Sequence, residues 1–287
     1  MIKMRIGLVI DRIRLDEKLI IEAARRSHVD VEIVDTSSIF FDITDFNTKR
    51  FNDIDVFFQR CVSTLRGLYI TKILEEYGFN VVNNFESSLR CIDKIQCSMA
   101  LTNNDIPTPK TLISFTEEGG LKALEDLGYP AIIKPVLGSW ARLVGKINDK
   151  DAAKSVFEDR RTMGAWYSIY YLQRYVNKPE RDIRSTVVGN KVVAAIYRVN
   201  ESGDWRTNTA RGAKAINCEI KPRIEELSLK AASAMGRGIF GVDLMEDGND
   251  LLVHEVNHSP EFKNVQRITG VNVAERIIKY LEEVVRK

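Results

Sequence analysis

Apolar positions in this chain recur with two periods. Residues 3–11, KMRIGLVID, are a nearly continuous apolar run and predict a strand buried on both faces. Residues 15–27, LDEKLIIEAARRS, have helical spacing, with Leu15, Leu19 and Ala23 on one face. DVEIV (30–34) and DVFFQR (55–60) predict strands. STLRGLYITKILEEYG (63–78) predicts a helix that stops at Gly78, and FNVVN (79–83) a further strand. Strand alternating with helix implies a parallel sheet with helices on its faces, and this unit is expected to cover residues 1–90. It contains no GxGxxG, so no dinucleotide is assigned to it.

The pattern changes beyond residue 90. DKIQCSMALTNNDIPTPKTLIS (93–114) reads as a helix followed by a connector in which Pro107 and Pro109 forbid more helix. EEGGLKALEDLG (117–128) is a predicted helix, and YPAIIKPV (129–136) a buried strand carrying Lys134. LGSWARLVGKI (137–147) reads as a turn flanked by strand-like segments, and Asp149 as the N-cap of a helix over 150–161. SIYYLQRYV (168–176), RDIRSTVVG (181–189) and KVVAAIYRV (191–199) are predicted strands, the last two joined by a Gly-Asn hairpin. A helix over 222–236, two strands around an Asp-Gly-Asn-Asp turn (238–247 and 250–257) and a helix over 271–287 complete the pattern.

Composition narrows the function classes. The 287 residues are 44% hydrophobic and 29% charged, a globular profile. No apolar run approaches the ~20 residues that span a bilayer. The opening residues lack a signal-peptide cleavage pattern, so no membrane role and a cytoplasmic location are expected. A net charge of +2 is too mild to argue for nucleic acid. Cys61, Cys91, Cys97 and Cys218 are scattered without zinc-type pairing and are expected to be buried thiols.

The chemistry concentrates in HEVN. Glu255 and Asn257 are two residues apart on a strand, so they share a face. Asp243 lies on the preceding strand, and a hairpin about the Asp-Gly-Asn-Asp turn lets it face Glu255. Oxygen-only ligands of this number suit Mg2+. The alternative is that the carboxylates pair with Lys or Arg. Lys134, on a buried strand, needs an anion, and phosphate is suitable. Gly138 and Ser139 offer backbone N–H groups and a hydroxyl at a turn. Asp182 follows a strand and either meets ribose hydroxyls or is a surface acid. Arg198, Arg206, Asn208 and Arg211 around an acidic site suggest anionic substrates.

Lys94, IIKP, the Gly-Ser loop, LQRYV, RDIR, NTARG, VDL and HEVN, in this order, resemble the ATP-grasp ligases over residues 91–287, and the N-terminal unit resembles the small pre-ATP-grasp α/β domain of such enzymes. PVLGSWARLV, KPERDIR, TNTARG and EVNHSPEFKN are similar to the LysX-type family, itself related to RimK-like glutamate ligases. The resemblance implies ATP-dependent joining of the amino group of α-aminoadipate to the side-chain carboxylate of the C-terminal Glu of an acidic carrier, LysW, in lysine biosynthesis. It implies contact of ATP phosphates with Lys94 and Lys134, and a phosphate-covering loop of Gly138, Ser139, Trp140, Ala141, Arg142, Leu143 and Val144. Gln173, Arg174, Tyr175 and Val176 would form the adenine-side hinge, and Asp182 would face the ribose. Arg198, Asn208, Ala210 and Arg211, with Lys134, would line the reaction centre. Asp243, Glu255 and Asn257 would bind Mg2+. A homo-oligomer is expected. Selectivity is placed at Asn264 and Val265: Asn matches the aminoadipate type, Val matches neither that type nor the Gly-Phe of glutamate-using relatives. A glutamate or dual-specificity enzyme, a ribosomal-protein glutamate ligase and a nucleotide-binding regulator without turnover are the competing readings.

Overall fold

Strands that run parallel need crossover helices, and the first unit supplies them. In the computed structural model, residues 4–45, 49–138, 140–201, 203–207 and 212–286 are described. Strands β1 (Arg5–Ile10), β2 (Asp30–Asp35), β3 (Val56–Gln59) and β4 (Val81–Val82) form a parallel sheet of order β2-β1-β3-β4, with helices α1 (Leu15–Arg26) and α2 (Thr64–Glu76) as crossovers. The buried face of α1 departs from the periodicity. Leu15 is 54% exposed, whereas Asp16 and Glu17 are fully buried beside Ile20, Ala23 and Ala24. Hydrophobic spacing cannot register a buried acid whose cost is met by partners elsewhere in the fold.

Helix α3 (Phe85–Ile92), capped by Asn84, whose side chain accepts from the Ser87 amide, was not expected; the anticipated boundary at residue 90 falls within it. Its eight residues are short and half polar, below what periodicity can detect. Helix α4 (Lys94–Asn103) follows, capped by Asp93. A second, antiparallel sheet of order β5-β8-β6-β7 joins β5 (Thr111–Ser114), β6 (Ala131–Lys134), β7 (Gly145–Ile147) and β8 (Tyr170–Arg174). Helices α5 (Glu117–Leu127) and α6 (Lys150–Thr162) close it through Leu124, Phe157 and Tyr170.

The third sheet has order β11-β10-β9-β12-β13, from β9 (Arg181–Val188), β10 (Lys191–Val199), β11 (Lys214–Asn217), β12 (Ile239–Asp247) and β13 (Asp250–Asn257), all antiparallel. The Gly189-Asn190 and Gly248-Asn249 hairpins are present, with Gly189 at φ 61° and Gly248 at φ 62°. One face buries Ile183, Val187, Val242, Leu244 and Val253 against helix α7 (Pro222–Met235). The other face meets helices α8 (Lys263–Thr269) and α9 (Val273–Val285). There, Ile277, Ile278 and Leu281 join Val188 and Ile196 to Ile6, Leu8 and Val56 of the first sheet, so one core ties the units together. Neither β11, a mostly exposed edge strand, nor α8 was expected.

The four described cysteines are free and buried, as expected. Among the described residues, no helix is long and apolar enough to cross a membrane.

Candidate active site

The uncovered part of the α9-side face of the third sheet carries a row of charges. Cross-strand partners share a face, and here Asp182 stands opposite Arg198, Arg184 opposite Asp243, and Asp243 opposite Glu255. Arg198 grips Asp182 at 2.6 and 2.8 Å and reaches Asp243 Oδ2 at 3.1 Å. Arg184 Nη2 donates to Asp243 Oδ2 at 2.6 Å, and its Nε to Oδ1. Thr207 adds a hydroxyl donor to Asp182. Burial alone would raise the Asp243 carboxyl, but Arg184 and Arg198 hold it well below the usual carboxylate range. Asp182 is therefore no surface acid: it is buried at 4% exposure.

The pairing of Asp243 with Glu255 depends on a bulge. Counting back from the turn, Asp247 opposes Asp250 and Leu244 opposes Val253. Regular pairing would put Asp243 opposite His254, but the register shifts there and Glu255 takes the place. Asn257 lies one step on, its Nδ2 3.5 Å from Asp243 Oδ2. Gly241 makes room for the chain beyond: a Cβ there would stand 2.9 Å from Pro260 Cβ.

The second sheet supplies the facing wall. Lys134, 4% exposed, donates to Gln173 Oε1 at 2.6 Å and lies 3.2 Å from His254 Nδ1. Burial pushes its ammonium down to about 7, against the opposing pull of Glu255. Burial and the Lys134 charge likewise hold His254 well below the ordinary imidazole range. Lys94 donates to the Gly138 carbonyl at 2.8 Å, with Glu255 Oε1 at 4.0 Å.

These groups share one cavity of about 470 Å3 between the three sheets. Gly138, Trp140, Ala141, Arg142 and Val144 line it, as do Gln173, Arg174, Tyr175, Val176 and Arg206. Among the described residues of 137–144 there is no strand before Gly145; Gly138 takes φ 146°, and Trp140, Ala141 and Leu143 are left-handed. Leu143 points outward at 47% exposure. Asn264 and Val265 also line it, although Val265 is 1% exposed and belongs to the core shared with α9. Ser139, Asn208, Ala210 and Arg211 lie outside the described residues. Sequence reasoning missed Arg14, Arg184 and His254, which also line the cavity. Arg184 was detectable, standing two residues from Asp182 on one strand face.

The donor set suits a hard cation. Among the described residues no three His, Cys, Asp or Glu side chains form a metal cluster. The set is two carboxylates and an amide, the sparse oxygen donation that Mg2+ accepts when phosphates complete its shell. Asp243 is shared with two guanidinium groups, so Glu255 is the carboxylate with the freer charge.

The LysX preATP-grasp domain model matches residues 6–88, and the RimK-like ATP-grasp domain model residues 91–281. The chain is 39% identical over 276 residues to the alpha-aminoadipate–LysW ligase LysX of Saccharolobus solfataricus, covering 96% of this chain and 99% of that one. It is 33% identical over 281 residues to the glutamate–LysW ligase ArgX of Sulfolobus acidocaldarius, covering 97% and 98%. Its fold matches that of a RimK domain ATP-grasp protein from Sphaerobacter thermophilus with a TM-score of 0.79 at 22% identity, over 96% and 98% of the chains. A cavity between the three sheets, walled by a buried lysine and a carboxylate-bearing hairpin, thus occurs in a chain that belongs to the RimK-like ATP-grasp family and carries a LysX-type pre-ATP-grasp domain.

Proposed function

We propose that this protein is a cytoplasmic ATP-dependent ligase that joins the amino group of α-aminoadipate to the side-chain carboxylate of the C-terminal Glu of the carrier LysW, forming ADP and phosphate in lysine biosynthesis. The observation that carries this reading is the one cavity that Lys94, Lys134, Asp243, Glu255, Asn257 and Asn264 line together.

A carboxylate is inert toward an amine until an oxygen leaves as phosphate. The carrier carboxylate oxygen attacks the γ-phosphorus of ATP, and the bond to the ADP oxygen breaks. The amine nitrogen then attacks the acyl carbon, phosphate departs with the bonding pair, and the nitrogen loses its proton. Lys94 and Lys134 offset phosphate charge where water is excluded, so each contact is stronger than in bulk solvent. Arg198 and Arg184, fixed by Asp182 and Asp243, add positive charge without reorganising. Asp243, Glu255 and Asn257 would hold Mg2+, which when bound supplies further charge neutralisation at the phosphates. Gln173 to Val176 border the adenine side, and Asp182 the ribose side. An acidic partner fits the mouth beside Trp140, where Arg12, Arg66 and Arg142 stand around Asp11.

Mass spectrometry of the carrier after incubation with ATP and each amino acid tests this. One aminoadipate added per carrier, with ADP released, is expected. A glutamate adduct alone would move the assignment to the glutamate-using relatives, and ATP binding without any adduct would make the protein a nucleotide-binding regulator.

Asn264 is proposed to donate to the distal carboxylate of the amino acid, and wild type should prefer α-aminoadipate with measurable glutamate activity. Val265→Phe is a poor probe, because overpacking a core position costs about 1–3 kcal/mol. Asn264→Gly alone should lower the aminoadipate-to-glutamate ratio of kcat/KM by about tenfold. An unchanged ratio would place selectivity elsewhere.

A further inference from the structure

In open parallel α/β sheets the carboxyl ends of the strands are where ligands bind. Here that edge of the first sheet holds a segment of the same chain. Asn83, following β4, donates to the His258 carbonyl at 2.8 Å and pairs with both main-chain groups of Ile239. Arg60, following β3 and 1% exposed, donates to the Pro260 carbonyl at 3.1 Å. Arg14, following β1, reaches Glu261 at 3.3 Å. Asp16, fully buried, accepts from the amides of Phe262 at 2.6 Å and Lys263 at 2.9 Å. Glu17, also fully buried, holds the two arginines together.

The segment so gripped runs from the end of β13 to the start of α8. It connects Glu255 and Asn257 to Asn264. Helix α8 has only seven residues, and its N-cap Phe262 provides no side-chain cap. Two of its four orphan amides are satisfied by Asp16, from a helix some 250 positions away in sequence. Between Asn257 and Lys263 there is no regular structure of its own to fix the path.

We propose that Asp16, Arg60 and Asn83 are positioning residues that set where Asn264 stands relative to Glu255, so that selection of the amino acid is controlled from the N-terminal unit. This rests on the ligase reading above. Asp16→Ala should raise the KM for α-aminoadipate by about tenfold or more, as misplacement by an ångström does, and change the aminoadipate-to-glutamate ratio, while the KM for ATP stays within about twofold. Asp16→Asn keeps one carbonyl acceptor and replaces Oδ2, which makes no hydrogen bond among the described residues although its charge faces Arg60 and Arg14, so exchange at Phe262 and Lys263 and both amino-acid KM values should stay close to wild type. Should Asp16→Ala not fold, Asp16→Glu keeps the charge, moves the acceptor by a methylene and should shift the same constants less.

Amide hydrogen exchange reads the clamp without any substrate. In Asp16→Ala or Asp16→Glu, the Phe262 and Lys263 amides should exchange faster while those of β13 do not. A lowered melting temperature with both amino-acid KM values unchanged, or unaltered exchange at Phe262 and Lys263, would overturn the proposal. Wild-type protein that transfers neither amino acid to the carrier would overturn the ligase reading instead, and the exchange result would still decide the clamp.

Discussion

Asp243→Ala should lose ligation by about 10³-fold and also melt at a lower temperature, whereas Glu255→Gln should lose ligation to a similar extent with its melting temperature unchanged. From sequence alone, removing either carboxylate is expected to relieve repulsion and leave stability equal or higher. The ion pairs reverse that for Asp243. Its carboxylate is the main partner of Arg184 and the second partner of Arg198, at 5% side-chain exposure. Truncating one member of a buried pair costs about 3–5 kcal/mol, because the remaining charge is left uncompensated. In a protein of this size that corresponds to a fall on the order of 10 °C. Glu255 has 24% side-chain exposure and approaches Lys94 no closer than 4.0 Å, so neutralising it breaks no close ion pair, and Lys134, losing the pull of Glu255, gives up its proton rather than standing as a buried charge. Calorimetry and steady-state assays of the two variants check both halves. Near-normal turnover in both would remove the metal assignment, and an unchanged melting temperature for Asp243→Ala would show that the arginine row carries no stability.

Lys134→Met should lower turnover by about 10²–10³-fold and yet stabilise the nucleotide-free protein at neutral pH. The loss of rate follows from removing a cation that faces the transferred phosphate, worth about 10²–10³-fold. The gain in stability follows from burial. The ammonium falls from its ordinary 10.5 to about 7 in the folded protein because it is desolvated, with Glu255 only partly opposing that. Between those values the unfolded chain binds more protons than the folded one, so wild-type stability climbs as pH rises through that window. The penalty of burying the lysine is therefore fully present below about 7 and gone near 10.5. Methionine has comparable length and no charge, so its advantage should be greatest at neutral pH and shrink toward alkaline pH. Urea unfolding of both proteins at about pH 7 and about pH 10 tests this. A gap that does not narrow would mean that Lys134 ionises as an exposed lysine does.

Much of this molecule is readable from residue order. Alternating apolar runs specify the parallel first sheet. Gly189-Asn190 and Gly248-Asn249 specify their hairpins, because only such pairs accept the positive φ the turns require. Lys134 on a continuous apolar strand had to be buried, and Glu255 and Asn257 had to share a face. These are consequences of local periodicity and turn chemistry. Partners distant in sequence leave no such trace. Asp16 and Glu17 read as the solvent face of α1 until Arg60 and the amides of residues 262 and 263 arrive to satisfy them. Arg184 gains its meaning only from Asp243 across the strand. Asp243 meets Glu255, as the hairpin reading expects, but the bulge by which they meet was decided by tertiary structure alone. The two-residue turn, extended with regular period, sets Asp243 opposite His254 and so away from the face of Glu255 and Asn257. A bulge restores the alignment, with Asp243 tied to Arg184 of β9 on one side and His254 set against Lys134 of the second sheet on the other. An inserted residue costs local hydrogen bonding and is kept only where contacts from other elements outweigh that cost, so no property of residues 243–257 read by themselves could announce it.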